Sequence, residues 1–309
     1  MPAAATPQPG PQQPEPANGE GRGAATRTDT TPINVIGRAG TPTPMVASKP
    51  AEGGWHWAPW LCEYLGTAIL LSGGLSAVFL DFGPHSPITP HLASTSARLL
   101  LTGLLFAGTG SLVALSPLGR RSGAHLNPAV TLAFWTQRKV HPHDLAGYIT
   151  AQLLGAITAC AGLRLAWGRT ARALHLGATQ PGHGFTALDA AGLETLMTAS
   201  LVLMIFFVTS SPRTARWTPL GNWLLVATLV WQGAPYTGTS LNPARSLAPA
   251  LIAPELANLW VYLVGPLAGA LLAAAIFAMF PRLRTLTTKL FHDSRYPSTM
   301  ASELPTALH

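Results

Sequence analysis

Two ten-residue stretches of this chain, Ser122–Thr131 (SGAHLNPAVT) and Gly238–Leu247 (GTSLNPARSL), carry the same Asn-Pro-Ala tripeptide 115 residues apart. Each reads as the start of a helix. Asn127 and Asn242 are favourable N-caps, and Pro128 and Pro243 suit the first helical position, where the missing N–H costs nothing. Behind Ala129 and Ala244 lie only short apolar runs, Ala129–Trp135 and Ala244–Ile252. A helix of about ten residues is roughly 15 Å long, half of a roughly 30 Å hydrocarbon core. Two such half-helices in a membrane chain place their N-termini near the bilayer midplane. Each N-terminus carries about half a positive charge and several unpaired N–H groups. The chemistry this allows is hydrogen-bond donation to a neutral solute bearing acceptor oxygens, with repulsion of cations and protons.

The rest of the chain reads as the membrane scaffold that such half-helices need. Of its 309 residues 48% are hydrophobic and 10% charged, against roughly 25% charged in a soluble domain. Six apolar runs reach spanning length: Pro59–Leu80, Leu99–Leu118, Leu145–Leu165, Ala187–Ser210, Thr218–Tyr236 and Leu256–Phe280. The expected class is an all-α membrane protein with six transmembrane helices and two re-entrant half-helices. Residues 1–54 are rich in Pro, Gly, Ala, Thr and Gln and read as a disordered tail, residues 55–280 as the membrane domain, and residues 281–309 as a second tail. No cleaved signal peptide is expected, since the first apolar run begins near residue 58.

The net charge of +7 follows loops rather than a nucleic-acid footprint. With the N-terminus inside, 14 Lys/Arg lie on the inner side, Arg120, Arg121, Arg138 and Lys139 among them, and four lie outside. Both termini are therefore expected in the cytoplasm, with the protein multi-pass in a plasma or inner membrane. Arg164, Arg169 and Arg172 run against this trend. Cys62 and Cys160 lie in apolar runs, as small buried hydrophobes. His141 and His143 have no ligand companions in sequence, and His175 and His183 stand too far apart to suggest a site. No metal, cofactor or catalytic constellation is expected.

The membrane domain repeats itself. Glu63-Tyr-Leu-Gly-Thr67 answers Glu194-Thr-Leu-Met-Thr198, and Ala151-Gln-Leu-Leu-Gly-Ala156 answers Gly265-Pro-Leu-Ala-Gly-Ala270, the latter pair offset by 114 residues. Repeat one covers about 58–165 and repeat two about 187–280. Each unit is span–span–half-helix–span. Three full spans is an odd number, so the second copy enters from the opposite side and the repeats are inverted. Gly66, Gly103, Gly108, Gly155, Gly162, Gly265 and Gly269 suit close helix packing in lipid.

In Cys62-Glu-Tyr-Leu-Gly-Thr67, Ser122-Gly-Ala-His-Leu-Asn-Pro-Ala-Val-Thr131 and Asn242-Pro-Ala-Arg-Ser246 the chain resembles the aquaporins, or major intrinsic proteins, over residues 58–280. The resemblance implies homotetramers with one pore per subunit, ion exclusion by half-helix dipoles and an Arg, and a four-residue filter containing Arg245. Ungapped spacing carries the other three positions onto Ala107, Val230 and Thr239. Water-selective members usually have an aromatic at the first and His at the second, so this filter is expected to be wide. Phe106, one position away, would make it tighter. Ser246 fits the water type where glycerol-favouring members often have Asp, Tyr262 fits the water type also, and Leu263 replaces a frequent Trp. The matching glutamates, Glu63 and Glu194, are expected to buttress the loops entering the half-helices, with a proton relay as the other reading. His125 either lines the inner approach or packs the loop.

The expected function is a passive, non-enzymatic channel for water and small uncharged solutes such as glycerol. A strictly water-selective channel and a proton-coupled secondary transporter using Glu63 and Glu194 are the alternatives. A non-conducting scaffold is disfavoured by the small Ala107, and an intramembrane enzyme by the missing catalytic groups.

Overall fold

The computed structural model describes residues 55–140 and 142–283. The tail expected over 1–54, and all but residues 281–283 of the tail expected over 281–309, lie outside the described residues. Among the described residues the chain is all helical. In order these are α1 (Trp57–Phe82), α2 (Thr95–Leu115), α3 (Pro117–Ser122), α4 (Pro128–Thr136), α5 (Pro142–Ala166), α6 (Gly168–Ala173), α7 (Ala187–Val208), α8 (Pro212–Ala215), α9 (Thr218–Thr237), α10 (Pro243–Ile252) and α11 (Leu259–Ala278), with a 3-10 turn at His175–Gly177.

Six helices are the spans. α1, α2, α5, α7 and α11 are long and apolar enough to cross a membrane by length and composition. α9 is of similar length, 20 residues, but its run is interrupted by Gly221, Asn222, Gln232, Gly233 and Pro235. It packs along α2 and α7 and so takes in repeat two the place α2 takes beside α1. Most span boundaries shift by one to four residues from expectation, and two of these shifts have a clear local reason. The second span stops at Leu115, because Pro117 opens a new helix and disfavours helical backbone at Ser116. The last begins at Leu259, because the chain after α10 turns back, Glu255 N donating to Ala250 O at 3.0 Å.

The half-helices α4 and α10 are 9 and 10 residues long, about 14–15 Å at 1.5 Å per residue. They are exchanged between the repeats. Ala129, Val130, Ala133 and Phe134 of α4 bury against Val202 and Phe206 of α7 and Ala270, Ala273 and Phe277 of α11. Ala244 and Ala248 of α10 bury against Leu71, Leu75 and Phe79 of α1 and Ala156, Ala159 and Cys160 of α5. Neither repeat completes its own core, so the two halves hold each other. Both cysteines are buried, and neither forms a disulfide among the described residues.

Lipid supplies little drive to expel one apolar helix onto another, so close fit decides packing. A Cβ at Gly155 would stand 2.2 Å from Tyr64 O, and one at Gly269 2.4 Å from Thr195 O. These repeat-equivalent glycines let α5 approach α1 and α11 approach α7. Gly162 differs from the expected packing role, since a Cβ there meets nothing within 4 Å. Arg164 acquires a role that its charge alone did not suggest. Its Nη1 donates to Ile252 O, the last residue of α10, a carbonyl left without an intrahelical partner.

Candidate functional site

The two Asn-Pro-Ala segments meet tip to tip. Asn127 Oδ1 accepts from Ala129 N at 2.8 Å, and Asn242 Oδ1 accepts from Ala244 N at 3.0 Å and Arg245 N at 3.4 Å. These are the N-caps expected for α4 and α10. The amide nitrogens cross over. Asn127 Nδ2 donates to Leu241 O and Asn242 Nδ2 to Leu126 O, both at 2.8 Å. An amide NH2 carries two donors, so each Asn keeps one N–H beyond the crossed bond, and both residues line the same cavity.

The loops behind the Asn residues are strained, and the strain repeats. Gly123, Ala124 and Leu126 have φ of 94°, 49° and 52°, and Gly238, Thr239 and Leu241 have 75°, 47° and 57°. Left-handed backbone at non-glycine residues costs of order 1–3 kcal/mol each and persists only where surroundings fix it. A buried carboxylate does so in each half. Glu63 accepts from His125 N (3.0 Å) and Leu126 N (2.7 Å), and Glu194 from Ser240 N (2.8 Å) and Leu241 N (2.9 Å). Both glutamates are fully buried, and neither lines a cavity beside the Asn pair.

Further side chains pin the same loops in repeat-equivalent pairs. Tyr148 OH donates to Ser122 O at 2.7 Å, and Tyr262 OH to Thr237 O at 2.8 Å. Ser122 Oγ accepts from Ala124 N as Thr237 Oγ1 accepts from Thr239 N, each at 3.1 Å. His125 Nδ1 meets Thr131 Oγ1 at 3.1 Å, and Ser240 Oγ meets Ser246 Oγ at 2.6 Å. His125 does both things considered for it. Its backbone holds Glu63, and its ring stacks on Phe134 while lining the cavity.

Two cavities, of about 130 and 240 Å³, lie at this junction, the first lined by both Asn residues and the second by neither. The first runs past Asn127 and His125 toward the α4 side, and the second past Val230 and Thr239 toward the α10 side. Phe106, Val226, Ser240, Leu241 and Arg245 line both, so the two cavities adjoin at these residues. Arg245 Nη1 donates to Gly177 O at 2.8 Å, and its guanidinium lies 5.6 Å from the centroid of the Phe106 ring, within cation–π range. Of the four spaced positions, Val230, Thr239 and Arg245 therefore share one wall system. Ala107 lines only the α4-side cavity, and Phe106 is the α2 residue that faces Arg245.

A family model described as Major intrinsic protein matches residues 55–277. The chain belongs to the major intrinsic protein family. Its members are channels, not enzymes. The chain is 35% identical over 245 residues to the lens fiber major intrinsic protein of Gallus gallus, covering 76% of this chain and 86% of that one. It is also 35% identical over 222 residues to the glycerol uptake facilitator protein-like 6 of Lactiplantibacillus plantarum, covering 70% and 94% respectively. In structure it resembles the aquaglyceroporin from Plasmodium falciparum, with a TM-score of 0.60 at 21% identity, covering 72% of this chain and 96% of that one. That likeness concerns the fold.

Several residues of this major intrinsic protein's junction were not apparent from sequence. Tyr148, Gln152 and Thr131 form one network with Glu63, Gln152 Nε2 donating to Glu63 Oε2 at 2.8 Å and to Thr131 Oγ1 at 2.9 Å. The 114-residue offset would have pointed to Tyr148 as the partner of Tyr262. Gly177, whose carbonyl receives Arg245, sits in a loop with no repeat counterpart and gave no signal. His143 does gain a companion from elsewhere in the chain, His56 at the start of α1, beside its neighbour Asp144.

Proposed function

We propose that this channel passes water and small uncharged solutes such as glycerol passively, and excludes protons and other cations. The observation that carries this reading is the amphipathic ring shared by both cavities. Phe106 and Val226, with Val230 beside them, offer an apolar wall, and Arg245 faces it. A polyol can lay its carbon chain on the apolar side and its hydroxyls on the guanidinium and the Asn donors. A cation meets Arg245 and then the positive ends of α4 and α10. The proposed constriction is Asn127, Pro128, Ala129, Asn242, Pro243 and Ala244. The proposed filter is Phe106, Val230, Thr239 and Arg245, with Ala107 flanking it on the α4 side.

A strictly water-selective pore is favoured by one observation, the aromatic ring of Phe106 where the two cavities adjoin. Val230 weighs against it, because its small side chain leaves the opposite side open. Proton coupling through Glu63 and Glu194 is disfavoured by their engagement with loop backbone away from both cavities. The charge asymmetry supports cytoplasmic termini, and the family supports a homotetramer. Stopped-flow measurements on proteoliposomes test the reading. Wild type is expected to pass water and glycerol without proton conductance, and Val230→His to lose most glycerol flux while keeping water flux. Vesicles tight to glycerol but open to water would overturn the solute range, and proton conductance rising with solute flux would overturn ion exclusion.

A further inference from the structure

Away from the pore, the fold brings His56 to His143 and Asp144, two adjacent residues about 88 positions further along the chain, so that three metal-ligating side chains meet. His56 immediately precedes α1 and is buried, with 4% of its surface exposed. His143 and Asp144 occupy the first turn of α5. One ligand atom from each lies within 4.8 Å of the others. We propose that His56, His143 and Asp144 form a transition-metal site of the zinc type that ties the start of α1 to the start of α5.

Two imidazoles and one carboxylate are a donor set suited to Zn²⁺, Ni²⁺ or Cu²⁺, whereas Ca²⁺ and Mg²⁺ prefer oxygen. Ligand distances to zinc are about 2.0–2.2 Å, so small side-chain rotations close the three groups onto one ion. The surroundings already orient them. Asp144 Oδ1 lies 2.7 Å from His56 Nδ1 and accepts from Trp60 Nε1 at 3.0 Å. Binding exchanges the bond between His56 Nδ1 and Asp144 for two bonds to the ion, and because a carboxylate has two oxygens Asp144 can keep the indole of Trp60 while it does so. The His143 ring packs against Trp60 and Trp55, with centroids at 4.9 and 5.6 Å, and against His56 at 5.8 Å. This aromatic surround limits the directions in which both imidazoles can point. The N-terminus of α5 opposes a cation, so the negative charge of Asp144 is required, and its neutralisation is the most telling change.

The test uses full-length protein in detergent, carrying no polyhistidine tag and stripped with a chelator. It is titrated with Zn²⁺ by calorimetry and with Co²⁺ by visible absorption. One ion per chain is expected, with Co²⁺ developing ligand-field bands. His143→Ala and Asp144→Asn should each weaken Zn²⁺ binding at least tenfold, as loss of a ligand or its orienting partner does. His143 and Asp144 are the less buried members, and monodisperse elution of each variant shows that it has folded. His91, exposed in the loop beyond the far end of α1, serves as the control, and His91→Ala should retain binding. Absence of saturable one-to-one binding in wild type would overturn the proposal. So would binding unchanged in both His143→Ala and Asp144→Asn, or binding lost only in His91→Ala. Any of these outcomes would leave His56 and Asp144 as a hydrogen-bonded pair that joins two helices without metal.

Discussion

Replacing Glu194 with Gln would test what holds the pore junction together. Glu194 accepts three hydrogen bonds, from Thr237 Oγ1 at 2.7 Å, Ser240 N at 2.8 Å and Leu241 N at 2.9 Å. A glutamine keeps one acceptor oxygen and puts an NH2 in place of the other. The cheaper orientation leaves the oxygen with Thr237 and Ser240 and turns the NH2 toward Leu241 N, donor against donor. One charge-assisted bond, about 1.5–3 kcal/mol, is then lost, and a buried N–H is left unpaired at about 1–3 kcal/mol. Removing a buried charge returns part of its desolvation cost. The net expectation is a loss of about 3 kcal/mol.

For a chain of this size that corresponds to a fall of roughly 6–12 °C in Tm, read by tryptophan fluorescence at one fixed scan rate. The released loop contains Thr239 and Leu241, both with left-handed backbone. Its relaxation moves the crossed bond from Asn127 Nδ2 to Leu241 O, so water flux in proteoliposomes should fall as well. A Tm change under about 2 °C, on the same scaling, with water flux intact would refute the buttressing role. A variant of unchanged Tm that had lost only pH-gradient-driven flux would support the proton relay instead.

Tyr148→Phe and Tyr262→Phe each remove one buried hydroxyl bond to loop backbone, and each should cost about 0.5–1.5 kcal/mol in thermal melts, with the double variant near the sum because the two loops use separate tyrosines. Gly155→Ala should destabilise by at least about 1–3 kcal/mol, since its Cβ would press on Tyr64 O, whereas Gly162→Ala, with open space beside it, should leave Tm unchanged or raised. Equal effects from the two glycine substitutions would contradict the close approach of α5 to α1.

Much of this site could be read from the chain because it is built twice. The Asn caps and the half-helices recur at an offset of 115 residues, the glutamates recur at the start of the first span of each repeat, and each occurs where local chemistry requires it. The first filter position shows where such reading is loosest, since spacing points to Ala107 whereas Phe106 is the α2 residue beside Arg245. Counting back from Asn127 crosses the loop that contains α3, whose length is not set by helix geometry. An error of one residue on a helix turns a side chain by about 100°. Non-local meetings were also out of reach. The exchange of α4 and α10 between the repeat cores follows from how two inverted units interlock. The meeting of His56 with Asp144 depends on α1 packing along α5, a distance of 88 residues in sequence. Gly177 is set by the loop that joins the two repeats and belongs to neither.

Where the repeats differ, their roles separate. The residue four after each Asn bonds back to the residue two before it, Thr131 to His125 and Ser246 to Ser240. In repeat one this pair is extended by Gln152 toward Glu63. The equivalent of Gln152 in repeat two is Pro266, which has no side-chain donor. Ser246 instead reaches Thr179 Oγ1 at 2.7 Å, in the loop that also carries Gly177. It thus ties α10 to the segment whose carbonyl receives Arg245, while lining neither cavity. A serine that reads in sequence as a marker of solute preference therefore has a positioning role here. Ser246→Ala would leave the buried Thr179 and Ser240 hydroxyls without this partner, although Ser240 Oγ keeps Asn242 O at 3.1 Å. The expected cost is about 1–2 kcal/mol, seen as a lower Tm. Because the pore wall is unchanged, the ratio of glycerol to water flux should remain that of wild type in the same proteoliposome preparation. A changed ratio at unchanged Tm would show that Ser246 acts on the solute directly, and the positioning role would be wrong.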